Sequence, residues 1–482
     1  MQTRRDLYQA YKLMTQRLSM ALLQGEPDLP ETPTRRHNVA MFGSALVAVV
    51  VAAIFGILGL LRPGSATALT APGTVLVEEE SGAVFVYSAP KEKLIPVDNV
   101  TSARLLLGEQ QVKVRSVSAA SLAKFRRDAM VGIAGAPKSL PAPDRLVRGP
   151  WTACVVDGVD TGNERRPYTT LLGGIDVGGA PIEQGSAVVV EEGGQAWMLW
   201  SNRRMRVPAE AVRTMTPGRP RQVPAAWLNA LPEGPAFRGP DIPGLGRAVA
   251  GPDGKRYRAG TVFTVPPVAG MTVRWYVLLP DGLASLTPAQ AALLLQSPVI
   301  KQKAYRGASA RPIELDAATV NATKASATDL GTSDLPSAMP KITTVSGSTP
   351  LCAVYSGTEK GSTRAVLTTG AAKPIPQPPK GWFNQELADQ VLLTPGSAAL
   401  VGVLPGEGRL DAVGPLYLIG DQGRRHAIPS ADLLPNLGYG QQNVAPLPAH
   451  LLHLIPEGPA LDPEAARNPI QAAPPVTAPP QQ

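Results

Sequence analysis

Six side chains have the types best suited to metal, redox or acid–base chemistry: Cys154, Cys352, His37, His426, His450 and His453. A zinc site built from cysteine and histidine needs ligand pairs at close spacing. The two cysteines stand 198 residues apart. His450 and His453 sit three apart in AHLLHL, which can bring both onto one helix face. Alone they form half a metal site, and a pair of surface histidines is the preferred reading. Asp157 and Asp160 in VDGVDTG could be an acid–base pair, but the same residues spell an ordinary turn. VAGPDGKRY comes nearest to a phosphate loop, which needs Gly five residues before the Gly-Lys pair and Ser or Thr after it. Val249 and Arg256 occupy those positions, so Gly251–Lys255 reads as a Pro-Asp-Gly turn. No G-x-S-x-G elbow is present. The reading is a chain with no catalytic, metal or cofactor site.

The two cysteines gain meaning from the repeats around them. CVVDGVDTGNERRPYTT begins at Cys154 and CAVYSGTEKGSTRAVLTT at Cys352, with an apolar pair, a Gly turn and a closing Thr-Thr in the same order. Around these blocks a second pattern occurs four times. VEEESGAVFVYS from Val77 and VEEGGQAWMLWS from Val190 both read as strand, acidic turn, aromatic strand. RWYVLLPDGLASLTPAQAALL from Arg274 and PLYLIGDQGRRHAIPSADLL from Pro415 repeat the grammar, and proline opens a short helical signal in three copies. The chain outside the N-terminal region is thus two tandem halves, each ordered unit, cysteine block, unit. Equivalent cysteines, one per half, would face each other near a pseudo-two-fold axis and suggest a bridge; the alternative is two free buried thiols. Gly 47 and Pro 50 are abundant enough for many turns between short strands. The fold class expected is mainly β with short helices (α+β). A net charge of +8 with no basic run of five excludes a nucleic-acid partner, and Arg203-Arg204-Met205-Arg206 reads as a solvated hairpin.

Two N-terminal elements must position all of this. From Val39 to Leu61 there are 23 uncharged residues, about 35 Å of helix and enough for a hydrocarbon core of about 30 Å. Ala66-Thr67-Ala68 resembles a small-residue cleavage site, but the span is too long and its lead too patterned for a secretory signal. Arg4, Arg5, Lys12, Arg17, Arg35 and Arg36 precede the span, and Arg62 alone follows it before Lys91. That asymmetry puts the N-terminus in the cytoplasm and the chain from Arg62 onward outside. In RRDLYQAYKLMTQRLSMALL, steps of three and four place Leu7, Tyr11, Met14 and Leu18 on one helix face, with Glu26-Pro27 and Leu29-Pro30 closing the helix. A lone amphipathic helix needs a partner, and a partner helix is preferred to the membrane surface.

RRDLYQAYKLMTQRLSMALL, LLRP, SGAVFV, PVDNVTSARLLLG, GIAGAPKSLP and WTAC together resemble EccB, the single-span membrane subunit of actinobacterial type VII (ESX) secretion systems. The resemblance implies a β-rich central domain with four peripheral repeats similar to a wall-binding module, and a disulfide between Cys154 and Cys352. It implies a structural role beside an EccC-like ATPase and an EccD-like channel subunit. An EccE-like subunit and a mycosin protease are further partners, with homo-oligomers and cell-wall contact also expected. A stand-alone wall-binding protein or wall-acting enzyme is the competing reading, and a cytoplasmic helix has no use in it. The divisions drawn are 1–37 cytoplasmic helix and linker, 38–61 membrane helix, 62–150 first repeat, 151–180 central block, 181–245 second repeat, 246–340 third repeat with a long surface loop or mobile strap, 341–380 central block, 381–460 fourth repeat, and 461–482 Pro-rich tail.

Overall fold

The computed structural model describes residues 3–25, 33–61, 68–109, 111–216, 218–267, 272–331, 334–379 and 386–470. Most of the Pro-rich tail, 471–482, lies outside them. The chain opens with helix Arg4–Gln24, started by Thr3, whose backbone N–H and hydroxyl both donate to Asp6 (3.1 and 2.5 Å). It stops at Gly25, which takes the left-handed conformation and donates to the Ala21 carbonyl (3.1 Å). Gly25, ahead of the prolines, is therefore the terminator. Helix Pro33–Leu61 follows, and its His37–Ile57 portion is long and apolar enough to cross a membrane and is wholly unburied.

Four small sheets share one topology: a three-stranded antiparallel meander, a helical segment, then a strand returning parallel to the first. In chain order the meanders begin at Thr74–Glu78, Ser186–Glu192, Val262–Val265 and Ala399–Leu404. Their return strands are Lys113–Val117, Arg221–Gln222, Ile313–Glu314 and Ala445–Pro448. Helix starts are locally encoded: the Asn99 side chain accepts from Ser102 N–H (2.7 Å), and Thr287 with Gln290 forms a reciprocal cap ahead of Pro288.

Between these units lies a six-stranded sheet, ordered Gln390–Leu393, Arg165–Gly173, Trp151–Val159, Leu351–Tyr355, Val366–Thr369, Ala180–Pro181. Each cysteine block contributes one hairpin, and the two meet antiparallel at Trp151–Val159 and Leu351–Tyr355. Each half also lends a short strand to the other: Ala180–Pro181 pairs with the second hairpin, Gln390–Leu393 with the first. Sheet pairing therefore crosses three of the divisions drawn from the sequence. Ala180–Pro181 straddles the cut at 180, Gln390–Leu393 joins the central sheet, and Lys341–Ile342 joins the second unit's sheet. The largest core packs one face of the central sheet (Trp151, Ala153, Leu351, Tyr355) against the second and fourth units (Trp197, Trp227, Val401, Ile455).

The units also pair with each other. Leu105 of the first unit's helix enters the core of the fourth, beside Leu418 and Leu437. Leu293 of the third unit's helix enters the core of the second, beside Met198 and Met205. The segment expected as a surface loop or mobile strap is pinned over the third unit. Gln290 Nε2 donates to the carbonyls of Leu330 and Gly331 (3.4 and 3.0 Å), Ser326 Oγ donates to Asp281 (2.8 Å), and Ala289 N–H donates to Ser337 (3.2 Å). It passes so close to Gly282 that a Cβ there would lie 2.3 Å from the Lys324 carbonyl oxygen. Low hydrophobicity hid these anchors, which are polar hydrogen bonds rather than apolar contacts.

Candidate functional site

On helix Arg4–Gln24 the four stripe residues lie open: Leu7, Tyr11, Met14 and Leu18 are 63% to 74% exposed. Tyr8 and Leu22 widen the stripe, and both are exposed. Among the helix residues whose burial is described, the buried apolar one is Met20, which helical spacing puts on the opposite side near Leu13. The helix thus carries two apolar strips, where sequence periodicity picked out one.

In the central sheet, Cys154 and Cys352 are directly opposite each other and joined by a disulfide. Thr170 pairs with Cys154 and Thr368 with Cys352, so one row across four strands reads Thr, Cys, Cys, Thr. The row reads the same from either side of the disulfide, as a pseudo-two-fold relation between the halves requires. Both cysteines are fully buried, under Leu172, Val177, Ile175 and Leu392. The sheet that joins the two halves is therefore closed at its centre by a covalent link away from water.

Each half ends in a clasp whose signal, the pentapeptide PEGPA at 232–236 and again at 456–460, escaped the sequence reading. Arg204 N–H donates to the Pro232 carbonyl (3.0 Å) and accepts from Gly234 N–H at its own carbonyl (2.8 Å). Arg425 does the same with Pro456 and Gly458 (2.9 and 2.8 Å). The Arg204 guanidinium lies 5.1 Å from the Trp197 ring and pairs with Glu233; that of Arg425 lies 5.7 Å from Tyr417 and bonds Glu457 (2.5 Å). Behind each clasp one residue, Phe237 or Leu461, is fully buried at the contact between units.

The histidine reading needs correction. His453 is exposed, but His450 is half-buried and its Nε2 lies 3.0 Å from the Tyr355 hydroxyl. That hydroxyl donates to the Ala230 carbonyl, so Nε2–H is the donor to Tyr355. Burial, with Arg204 and His453 nearby, pushes the His450 pKa down to about 4. His450 is thus a neutral link between the fourth unit, the central sheet and the second unit. His426 is buried too, with Nδ1 2.9 Å from the Pro459 carbonyl, and burial lowers its pKa.

The remaining chemical candidates take structural roles. Gly251–Lys255 turns a two-stranded hairpin: Gly251 N–H donates to the Lys255 carbonyl (2.7 Å), and the Lys255 amine pairs with Asp253 (3.0 Å). A phosphate loop instead leads from a strand into a helix. Asp160 accepts from the N–H groups of Gly162 and Glu164 (both 2.9 Å) and pairs with Arg166 (3.0 Å), as a hairpin turn requires. Asp157 lies within strand Trp151–Val159, and its backbone N–H donates to the Gly347 carbonyl (2.9 Å). Among the described residues no group of three or more His, Cys, Asp or Glu could hold a metal ion.

The family model for the type VII secretion system ESX-1 transport TM domain B, EccB, matches residues 1–475. The chain belongs to the EccB family. It is 26% identical to the ESX-3 secretion system ATPase EccB3 of Mycobacterium tuberculosis, covering 94% of this chain and 86% of that protein. It is 25% identical to the ESX-5 secretion system ATPase EccB5 of Mycobacterium marinum, covering 94% and 90%. The EccB fold is also met in solved structures. An intact ESX-5 inner membrane complex contains a chain matched at TM-score 0.64 and 23% identity, over 100% of this chain and 98% of that one. The EccB3 dimer from the ESX-3 core complex matches at TM-score 0.61 and 25% identity, over 82% and 99%. EccB proteins are components of ESX inner membrane complexes, and the β-rich class expected from the sequence is the one found.

Proposed function

We propose that this EccB protein is a structural core subunit of a type VII secretion complex, anchored by helix Pro33–Leu61 with its N-terminus in the cytoplasm. The stripe of Leu7, Tyr11, Met14 and Leu18 docks cytoplasmic parts of the complex, an EccC-like ATPase and an EccD-like channel subunit. The disulfide-closed exterior serves as scaffold on the other side. An EccE-like subunit, a mycosin protease and further copies of this chain are additional partners of this reading. The divisions into a central block and four repeats are part of it, with the three short crossing strands reassigned. The observation that carries the proposal is the open stripe: burying such side chains is worth about 1.5–3 kcal/mol each, which an exposed helix forgoes. A lone wall-binding protein gains nothing from it.

The relatives are named ATPases. For this chain we assign no nucleotide hydrolysis, on the grounds that Lys255 is tied to Asp253 in a hairpin turn. The test of the scaffold reading is Tyr11→Asp with Leu18→Asp in the full chain. Two charges in the contact cost several kcal/mol. The variant should reach the membrane with its disulfide formed, yet lose its ATPase and channel companions on mild-detergent purification, and secretion should stop. Survival of both companions and secretion would refute the stripe as a docking site.

A further inference from the structure

The first unit's sheet has two different faces. One carries Val75, Val84, Val86 and Val97 and is covered by helix Val100–Leu107. The other carries Leu76, Phe85 and Leu94, and Leu69 packs into it. Leu69 is where the chain arrives from the membrane helix. From Leu61 to Ala68 is seven residue steps, at most about 25 Å of chain. The first unit is thereby tethered close to the surface from which helix Pro33–Leu61 emerges.

The same face, at the same end, carries an aromatic pair. Tyr87 and Phe125 are half-buried, with ring centroids 5.7 Å apart, and both pack against the cluster that receives Leu69. The antiparallel register sets Val75 opposite Val86, so Tyr87 and Ser88 lie beside the start of strand Thr74–Glu78, where the chain enters. Bases surround them. Lys124 Nζ stands 5.3 Å from the Phe125 ring, Arg126 pairs with Lys93, and Lys91 follows the Tyr87 strand. Lys124 and Arg126 are exposed. Three acids share this end. Asp128 is committed to Lys91 (2.9 Å), Glu109 lies beside Gly73 at the opposite sheet edge, and Glu92 is exposed. Half-buried rings beside open Lys and Arg are the composition that settles at a membrane–water interface.

We infer that this end of the first unit rests on the outer leaflet, with Tyr87 and Phe125 at headgroup level and Lys93, Lys124 and Arg126 against anionic phospholipid headgroups. The inference rests on the proposed anchoring and orientation. Basic side chains near an anionic surface attract it over short range, and salt screens them. Three of them supply at least about tenfold preference for an anionic over a neutral bilayer.

The test uses the full chain with Ala123→Cys carrying an environment-sensitive label, in nanodiscs of phosphatidylcholine alone or with phosphatidylglycerol. An N-terminal tag reports retention of the chain in the disc. With phosphatidylglycerol the label should enter an interfacial environment and return toward water in 1 M salt, where the Debye length is about 3 Å. Lys93→Glu with Lys124→Glu and Arg126→Glu should abolish the anionic preference, and Lys124→Arg with Arg126→Lys should keep it. A control reversal far away, Lys301→Glu with Lys303→Glu, should change nothing. A chain held in the disc whose label stays in water in both compositions overturns this inference alone; loss of the chain from the disc overturns the anchoring itself. A label that is shielded only when companion proteins are present overturns the lipid as occupant.

Discussion

Replacing Cys154 and Cys352 together by alanine removes the link between two hairpins while leaving their backbone pairing intact. The residues are 198 apart in sequence. In the chain-entropy account a closed loop of that size restricts the unfolded state by about 5 kcal/mol at 25 °C. For a folded β-rich part of about 400 residues, an unfolding entropy near 2.1 cal/mol/K per residue turns that into roughly 6 °C of melting temperature. The lost sulfurs also leave a gap beneath Leu172, Val177 and Leu392, which adds to the loss. Since both cysteines are fully buried, reductant should reach the bond only through unfolding. The assay treats the full chain in mild detergent with reductant, then alkylates it and reads the intact mass, with and without guanidinium; guanidinium without reductant should expose no thiol. No alkylated thiol should appear in the native protein, and two should appear once it is denatured; the alanine pair should melt several degrees lower. Rapid reduction of the native protein, or an unchanged melting temperature for the alanine pair, would refute the reasoning.

Three further outcomes follow from particular contacts. His450 is depressed to about 4 by burial, so its neutral form is the folded one. Stability is complete above its unfolded value near 6.5 and falls as pH drops from there toward 4, by up to about 3 kcal/mol. Melting curves of His450→Gln against the parent should show a flatter pH profile between those limits, and an identical profile would contradict the buried placement. Phe237→Ala should cost about 3–5 kcal/mol and Leu461→Ala about 2–5, since each is fully buried behind its clasp; denaturant melts would measure both, and losses below 1 kcal/mol would undo the account of the unit contacts. Lys255→Ala should leave any nucleotide turnover of the purified full chain unchanged, because its amine serves a hairpin turn; turnover abolished by that change would make Lys255 catalytic.

What the sequence determined lies mostly in short-range pattern. A run of 23 uncharged residues reads as one long helix, the form that pairs every backbone group of a segment crossing hydrocarbon. Steps of three and four set Leu7, Tyr11, Met14 and Leu18 on one side of a helix whatever else the chain does. Strand, turn and aromatic strand, as at Val77–Ser88, make a hairpin from neighbouring residues alone.

Tertiary structure decided what depends on distant neighbours. The strands Ala180–Pro181 and Gln390–Leu393, exchanged between halves, are too short to carry an alternation, and their partners lie far along the chain. His450 looks like a surface residue in AHLLHL, and only the arrival of Tyr355 and Ala230 buries it. The clasps leave a repeated PEGPA in the sequence, a signal the sequence reading missed, and nothing local marks Arg204 and Arg425 as its targets. Nor does local sequence bring Leu69, Tyr87 and Phe125 to one face of one sheet. Burial is a property of where separate segments meet, and a linear pattern records only what each segment offers to that meeting.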